Sequence, residues 1–132
     1  MDEKERVKQI VALWKAKADN DFKVIAQIIE HDDPVIDAVC FHCQQAAEKY
    51  LKLFLVKSMV KPPKTHDLGI LVRECGKIDK TFAELESCAY LTDYAVEMRY
   101  PDDYFQPSRE DMLKAYEDAR RVRYFVLSRL GE

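Results

Sequence analysis

Residues 40–52 read CFHCQQAAEKYLK, and this stretch decides the fold. It lies in a predicted helix over residues 34–60, because apolar residues recur there every three or four positions. The resulting stripe comprises Val39, Cys43, Ala46, Ala47, Tyr50, Phe54 and Leu55. The small alanine pair allows a neighbouring helix to approach closely. Gln45, Glu48 and Lys49 lie along the edge of the stripe, so the helix carries an amide and an acid–base pair beside its core face.

The next segment, KTHDL at residues 64–68, places a histidine and an aspartate where a third helix should begin. Thr65 is the predicted N-cap, and Asp67 falls in the first turn, where the helix dipole favours an acid. A plain helical bundle does not need this pairing for stability. His66 is therefore a candidate functional residue, although N-terminal capping and packing remain an alternative role for it.

Periodicity and end signals predict four helices besides the one that contains residues 40–52. The first covers residues 5–30, and the third ends near Gly76. A fourth begins at a capping box, Thr81 to Glu84, and ends near Arg99–Tyr100, because the following proline disfavours helix there. Its predicted inward residues are Phe82, Leu85, Cys88 or Ala89, Thr92 and Ala95.

The last helix starts within residues 107–111, again with a cap and early acids, and its apolar stripe continues to Leu130. No strand pattern is convincing. Short connections favour antiparallel neighbours, so the expected fold is all-α: one domain over residues 1–132, built as a five-helix antiparallel up-and-down bundle.

The composition is that of a helix-rich protein with a mild negative charge. Twenty-one basic residues face 24 acidic ones, for a net charge of −3, which argues against a general nucleic-acid coat protein but allows a local basic site. The charged start is followed by no apolar run, and no stretch is long enough to span a bilayer. We therefore expect a cytoplasmic protein without a membrane role.

Four cysteines occur, and Cys40 and Cys43 form a C-x-x-C. A redox pair sits where a loop enters a helix, whereas this pair lies inside a helical pattern. No second C-x-x-C or H-x-x-H completes a zinc site. We expect buried structural thiols, no metal and no cofactor.

Several side chains could recognise a phosphate or a base. Arg99 offers a bidentate fork, Lys49 and Lys52 offer point charges on one helix face, and Tyr100 offers a stacking surface. Tyr94 and Tyr104 are further stacking candidates. No glycine-rich phosphate loop is present, so such a site would be built from side chains and helix ends.

Structural roles are open for the same residues. Glu48 and Lys52 stand at i and i+4 with the acid first, which is an ordinary helix-stabilising arrangement. Gln45 and Lys49 could edge a dimer interface, and Tyr100 could simply end a helix. Two basic stretches, residues 49–64 and Arg120, Arg121 and Arg123, could be solvated faces or could contact phosphates.

Taken together, these residues resemble the HEPN family (higher eukaryotes and prokaryotes nucleotide-binding domain). The resemblance runs from about residue 8 to residue 128. It rests on Trp14, Ala18, Asp21-Phe22 and Ala26, on Phe41 with QQAAEK at 44–49, on THDL at 65–68, and on Arg99-Tyr100-Pro101. The resemblance implies a small all-α bundle that usually dimerises and is often encoded beside, or fused to, a minimal nucleotidyltransferase. Some members bind nucleotides, and many are metal-independent RNases that act as toxins or defence effectors.

The RNase branch carries an Arg-x(4–6)-His motif, which this chain lacks. The three permitted positions after Arg99 hold Tyr104, Phe105 and Gln106. No arginine stands at the required spacing before His31, His42 or His66. The family's catalytic roles are therefore not carried over, and a non-enzymatic role is favoured.

The leading hypothesis is a nucleotide- or nucleic-acid-binding module that partners a minimal nucleotidyltransferase in a toxin–antitoxin-like or defence pair. Its candidate ligand-binding residues are Gln45, Lys49, Lys52, His66, Asp67, Arg99 and Tyr100. One alternative is a metal-independent endoribonuclease that uses His66 as base and Arg99 as phosphate cation. The other is a structural homodimer whose helix edges recruit a partner protein.

Overall fold

Five helices make up the part of the chain that the structure, a computed structural model, describes: residues 2–95 and 106–131. They are α1 (Glu3–Ile28), α2 (Ile36–Lys57), α3 (Leu68–Gly76), a 3₁₀ helix (Lys80–Tyr94) and α4 (Arg109–Leu127). These two ranges contain no strand, and the prediction of an all-α, five-helix fold is confirmed.

The central helix is α2, because each of the other four packs against it. Its predicted stripe is buried, and both Ala46 and Ala47 are fully inaccessible, as close packing requires. Each fully buried residue of the size of Leu51 or Leu55 contributes about 1.5–3 kcal/mol through removal of its surface from water. The backbones of α1 and α4 stay more than 8 Å apart at their Cα atoms, which leaves a groove between them.

The connection over residues 58–67 turns back along α2 and carries His66 to the middle of that helix. Gln44 Nε2 donates to the backbone oxygen of His66 (3.0 Å), and Cys75 Sγ donates to that of Leu51 (3.5 Å). The start of α3 thus lies beside Gln44 and its end beside Leu51, so α3 advances in the same direction as α2.

The predicted helix caps are confirmed at the start of α4 and corrected at the starts of α3 and of the 3₁₀ helix. The cap predicted within residues 107–111 is confirmed, and it is a capping box formed by Ser108 and Asp111 at the start of α4. The N-cap of α3 is Asp67, whose carboxylate accepts from the N–H of Ile70, and not the predicted Thr65. Thr65 Oγ1 instead accepts from the N–H of Asp67 (3.1 Å), in the turn before the helix.

The fourth helix is a 3₁₀ helix and not the predicted α-helix. Its buried residues recur at a period of three: Phe82, Leu85, Cys88 and Leu91. In a 3₁₀ helix side chains at i and i+3 eclipse one another, so they form one narrow inward row. The expected capping box is also absent, since Asp79 caps this helix by accepting from the N–H of Thr81. The predicted end at Arg99–Tyr100 lies outside the described residues.

The end of α2 comes three residues earlier than predicted. The helix ends at Lys57, and Met59 adopts a positive φ of 65°. This left-handed residue lets the N–H of Val60 bond back to the carbonyl of Leu55 (2.8 Å), a common way to close a helix.

Candidate functional site

One polar cluster joins α1 to α2 through Asp21. This residue lies on the apolar stripe of α1 beside Ala18 and Phe22, and it is only 5% exposed. Its Oδ1 is 2.7 Å from His42 Nδ1, and its Oδ2 accepts from Lys49 Nζ at 2.7 Å. A buried carboxylate is tolerated when it is paired in this way. The Asp21 cluster therefore fixes α1 against α2.

A second cluster joins α2 to the segment before α3 through Glu48, which is also 5% exposed. Its Oε1 lies 3.0 Å from Gln44 Nε2 and 2.8 Å from His66 Nδ1. Its Oε2 accepts from Lys52 Nζ at 2.9 Å. The Lys52 ammonium also lies 5.9 Å from the ring centroid of Trp14, which covers it. Three donors thus converge on one buried carboxylate.

Gln44 extends the Glu48 cluster and is itself fully buried. Its Nε2 donates both to Glu48 and to the backbone oxygen of His66 (3.0 Å), and its Oε1 accepts from Gln45 Nε2 at 2.6 Å. Within the described residues every buried side-chain nitrogen and oxygen has a hydrogen-bond partner. The polar network is complete, so it holds its members in one geometry.

The pKa of Glu48 determines which imidazole nitrogen of His66 carries the proton. Burial opposes ionisation of this carboxyl, but the hydrogen bonds from Gln44, Lys52 and His66 outweigh it and hold its pKa below the ordinary value. The ionised carboxylate can only accept, so His66 Nδ1 donates. In the neutral ring Nε2 then carries the lone pair.

His66 presents that second nitrogen to solvent. Its side chain is 69% exposed, and Nε2 makes no hydrogen bond with any other described residue. A carboxylate that binds one nitrogen of an imidazole fixes the orientation of the ring and the tautomer of its neutral form. Neutral, Nε2 can accept a proton; protonated, it can donate to a phosphate oxygen. Capping of α3 falls to Asp67 and not to His66.

A partly exposed strip of α2 lies beside the two clusters. We call the side chains of Phe41, Gln45 and Lys49 the α2 strip; they stand four residues apart and so share one face of the helix. The edge of the Phe41 ring packs against His42, with centroids 5.3 Å apart. The strip presents an aromatic ring, an amide and an ammonium group in one row.

The remaining sequence candidates have varied surroundings. Lys49 and Lys52 each already bind a carboxylate, and Asp67 caps α3. Tyr94 is partly buried next to Cys40, and burial raises the pKa of its hydroxyl to about 12. The predicted Arg99, Tyr100 and Tyr104 lie outside the described residues.

The C-x-x-C is part of the core, as predicted. All four cysteines are buried and unpaired by disulfides. Burial raises the pKa of the Cys40 and Cys75 thiols to about 12 and that of Cys43 further still, so none is a reactive thiolate at neutral pH. Across residues 2–95 and 106–131, no three His, Cys, Asp or Glu side chains come together as a metal site would require.

The structure adds residues that the sequence reasoning did not single out. Asp21 and His42 were given no chemical role, and Gln44 was not a candidate. Glu48 was placed at the edge of the stripe and interpreted as a helix-stabilising partner of Lys52. A signal for two of them was available. Asp21 and Glu48 fall in phase with the buried stripes of their helices, and an acid in such a position needs a partner.

Comparison with known proteins gives a family. A HEPN domain matches residues 11–130, which is most of the chain. Neither the curated proteins nor the solved structures include a match. No helix in the described ranges combines the length and apolar character needed to cross a bilayer. With its helical architecture and this match over residues 11–130, the chain belongs to the HEPN domain family, whose members are nucleotide- and RNA-related helical domains.

Proposed function

We propose that the chain is a nucleotide- or nucleic-acid-binding module that contacts a phosphate through His66. The supporting observation is the exposed imidazole whose Nδ1 is held by the buried carboxylate of Glu48. A protonated ring in this fixed orientation donates from Nε2 to a phosphate oxygen with little loss of side-chain entropy.

The positive charge near His66 comes from lysines in the same connection, residues 58–67. Lys61 and Lys64 are exposed and form no ion pair with other described residues. By contrast, Lys49 and Lys52 are each neutralised by a carboxylate. We therefore assign phosphate attraction first to His66 with these two lysines.

The other proposed ligand residues have secondary roles. Gln45 and Lys49 of the α2 strip would contact the rest of the ligand, while Lys52 and Asp67 support the position of His66. Arg99 and Tyr100 complete the proposed set as a phosphate fork and a stacking surface.

Isothermal titration with a panel of nucleotides and short RNAs tests the proposal. We expect heat of binding for the wild type, and a loss of about tenfold or more in affinity for His66→Ala, since a charged hydrogen bond is worth about 1.5–3 kcal/mol. His31→Ala is the matched control, because His31 is also exposed and lies in the connection between α1 and α2. Arg99→Ala should weaken binding as well. No heat with any ligand, or equal losses for the two histidine variants, would refute the ligand claim.

A second candidate function is metal-independent RNA cleavage. The Glu48–His66 pair favours it, because an imidazole oriented by a carboxylate is suited to act as a base toward a 2′-hydroxyl. The missing Arg-x(4–6)-His motif stands against it. Incubation with labelled RNA in EDTA separates the two functions: cleavage that disappears in His66→Ala would make the protein an endoribonuclease, and intact RNA would leave the binding role.

We further propose that the protein acts in the cytoplasm as a homodimer and partners a minimal nucleotidyltransferase in a toxin–antitoxin-like pair. The family resemblance supports the pairing, and the α2 strip, with its partly exposed Phe41, supports an interaction surface. Sedimentation should give a dimer. Pull-down with the product of the adjacent gene should recover a nucleotidyltransferase, and recovery of an unrelated protein would favour the purely structural alternative.

A further inference from the structure

A second polar surface lies in the groove between α1 and α4, on the far side of α2 from His66. One wall of the groove includes Asp19, which accepts a hydrogen bond from Tyr50 of α2, whereas His66 binds Glu48. Glu48 and Tyr50 are two residues apart on α2, so their side chains leave the helix in directions about 200° apart. The two surfaces can therefore be altered independently.

The shape of the groove suits an extended ligand. Its volume of about 1020 Å³ is at the upper end for a small-molecule pocket, which is typically about 300–1,000 Å³, and the groove is open to solvent. It lies between the C-terminal half of α1 and the middle and end of α4. A polymer can therefore lie along it.

Positive charge is concentrated in this groove although the whole chain carries −3. The charged lining residues are Lys23, Arg120, Arg121 and Arg123 against Asp19 and Glu117. None of the four cations forms an ion pair with another described residue, whereas Asp19 is already bound by Lys15 at 2.8 Å. Arg121 is held by hydrogen bonds to Ser87 Oγ (2.9 Å) and the backbone oxygen of Glu84 (2.8 Å), so the cations available for an anionic ligand are Lys23, Arg120 and Arg123.

Aromatic rings alternate with these cations. The Arg120 guanidinium lies 5.2 Å from the ring centroid of Tyr116, and that of Arg123 lies 4.7 Å from the centroid of Phe22. Stacking of this kind holds a long side chain in place while its N–H groups stay available for phosphate. Tyr124 is 77% exposed at the same surface, which is unusual for a ring of this size without a partner.

We propose that this groove binds a single-stranded nucleic acid, with Arg120 and Arg123 on its phosphates and Tyr124 stacked on a base. The free cations would bind the phosphates of the nucleic-acid backbone, and the exposed ring would stack on an unpaired base. Binding of single strands combines these two kinds of contact. A duplex hides its base faces and would leave Tyr124 unused. The proposal deepens the proposed function by adding a second site, and it rests on that function only for the class of ligand.

Fluorescence anisotropy with labelled oligo(U) RNA and oligo(dT) DNA of about 12 nucleotides tests the groove, since sites of this kind cover about 4–16 nucleotides. Arg120→Gln/Arg123→Gln should weaken binding of the favoured strand by about tenfold or more. It should also reduce the slope of log K against log salt by about 1.4, because each lost phosphate contact removes about 0.7. Tyr124→Ala should weaken binding about fivefold or more without that change of slope.

The matched control is Arg6→Gln/Lys80→Gln, which removes the same charge from two exposed residues outside the groove. It should leave the affinity within about twofold of wild type, as expected for cations that make no phosphate contact. Equal losses in the two double variants, or no binding of either strand, would overturn the proposal. So would a dimer that becomes a monomer in the groove variant, because the occupant would then be a second copy of the chain. A loss confined to groove variants, with His66→Ala unchanged, would uphold this site and refute the phosphate role of His66.

Discussion

Asp21 and Glu48 are two buried carboxylates with nearly the same partners and different surroundings. Each is 5% exposed, and each binds one lysine and one histidine. His42, the partner of Asp21, is 27% exposed and packed against Phe41, whereas the Glu48 partner His66 is 69% exposed. The same chemistry thus fastens two helices in one case and holds an imidazole for a ligand in the other.

The exposure of the lysines differs in the opposite sense: the histidine is more exposed in the Glu48 cluster, but the lysine is more exposed in the Asp21 cluster. Lys52 is almost completely buried beside Trp14, while Lys49 retains 20% of its side-chain exposure. Loss of the acid should therefore be costlier at Glu48, where the stranded ammonium cannot reach water without rearrangement. This difference can be tested by four measurements.

The largest effect is expected for Glu48→Gln. An amide would replace one accepting oxygen where three donors converge and would leave Lys52 buried without its counter-charge, so we expect a loss of about 3 kcal/mol in the free energy of unfolding. Urea unfolding measures it. Glu48→Gln/Lys52→Met should recover most of the loss, because the buried charge is then gone. Glu117→Gln, on the exposed face of α4, should stay within about 0.5 kcal/mol of wild type.

Asp21→Asn should cost less, about 1–2 kcal/mol in the same urea experiment. The asparagine oxygen can still accept from Lys49, and both Lys49 and His42 can turn toward water. A loss equal to or larger than that of Glu48→Gln would show that the exposure of the partners does not set the cost, and the comparison would fail.

The pH dependence of stability isolates the charge on Glu48. Its pKa is lower in the folded than in the unfolded chain, so its contribution is complete above the ordinary pKa of 4.5 and is lost as the pH falls through the folded value. A single group contributes a slope of at most about 1.4 kcal/mol per pH unit. Urea unfolding between neutral pH and acid should therefore show the gap between wild type and Glu48→Gln narrowing below 4.5. Two parallel curves would contradict this.

The smallest effects on stability are expected for the two histidines. His42→Ala should cost about 1 kcal/mol, because it removes a donor from a buried carboxylate, and His66→Ala about half of that, because its ring is largely in water. The order of the two variants should reverse in titration calorimetry, where His66→Ala should bind the ligand more weakly than His42→Ala. If the variant that loses more stability also loses more ligand affinity, the proposed division of roles between the two clusters is wrong.

The sequence predicted the elements well and their pairing poorly. The stripes of α1, α2 and α4 and the cap at the start of α4 follow from local spacing, so they could be predicted. The bond between Asp21 and Lys49 joins residues 28 apart, and no local rule gives the rotation of α1 that brings them together. Glu48 and Lys52 were interpreted as an ordinary helix-stabilising pair, because i,i+4 spacing alone does not distinguish an exposed helix face from a buried one.

The 3₁₀ helix has a consequence for how the chain can change in length. A 3₁₀ helix rises about 2.0 Å per residue against about 1.5 Å for an α-helix, so the 12 steps from Phe82 to Tyr94 cover about 24 Å. Phe82 packs against Phe54 of α2, and Tyr94 lies next to Cys40 of α2. The matching span along α2, from Phe54 to Cys40, is 14 steps or about 21 Å, so the 3₁₀ helix covers a similar distance with fewer residues. With a period of three, one inserted residue turns every later side chain by about 120° out of the core, whereas an insertion of three restores the register. Natural variation in length within Lys80–Tyr94 should therefore come in whole turns.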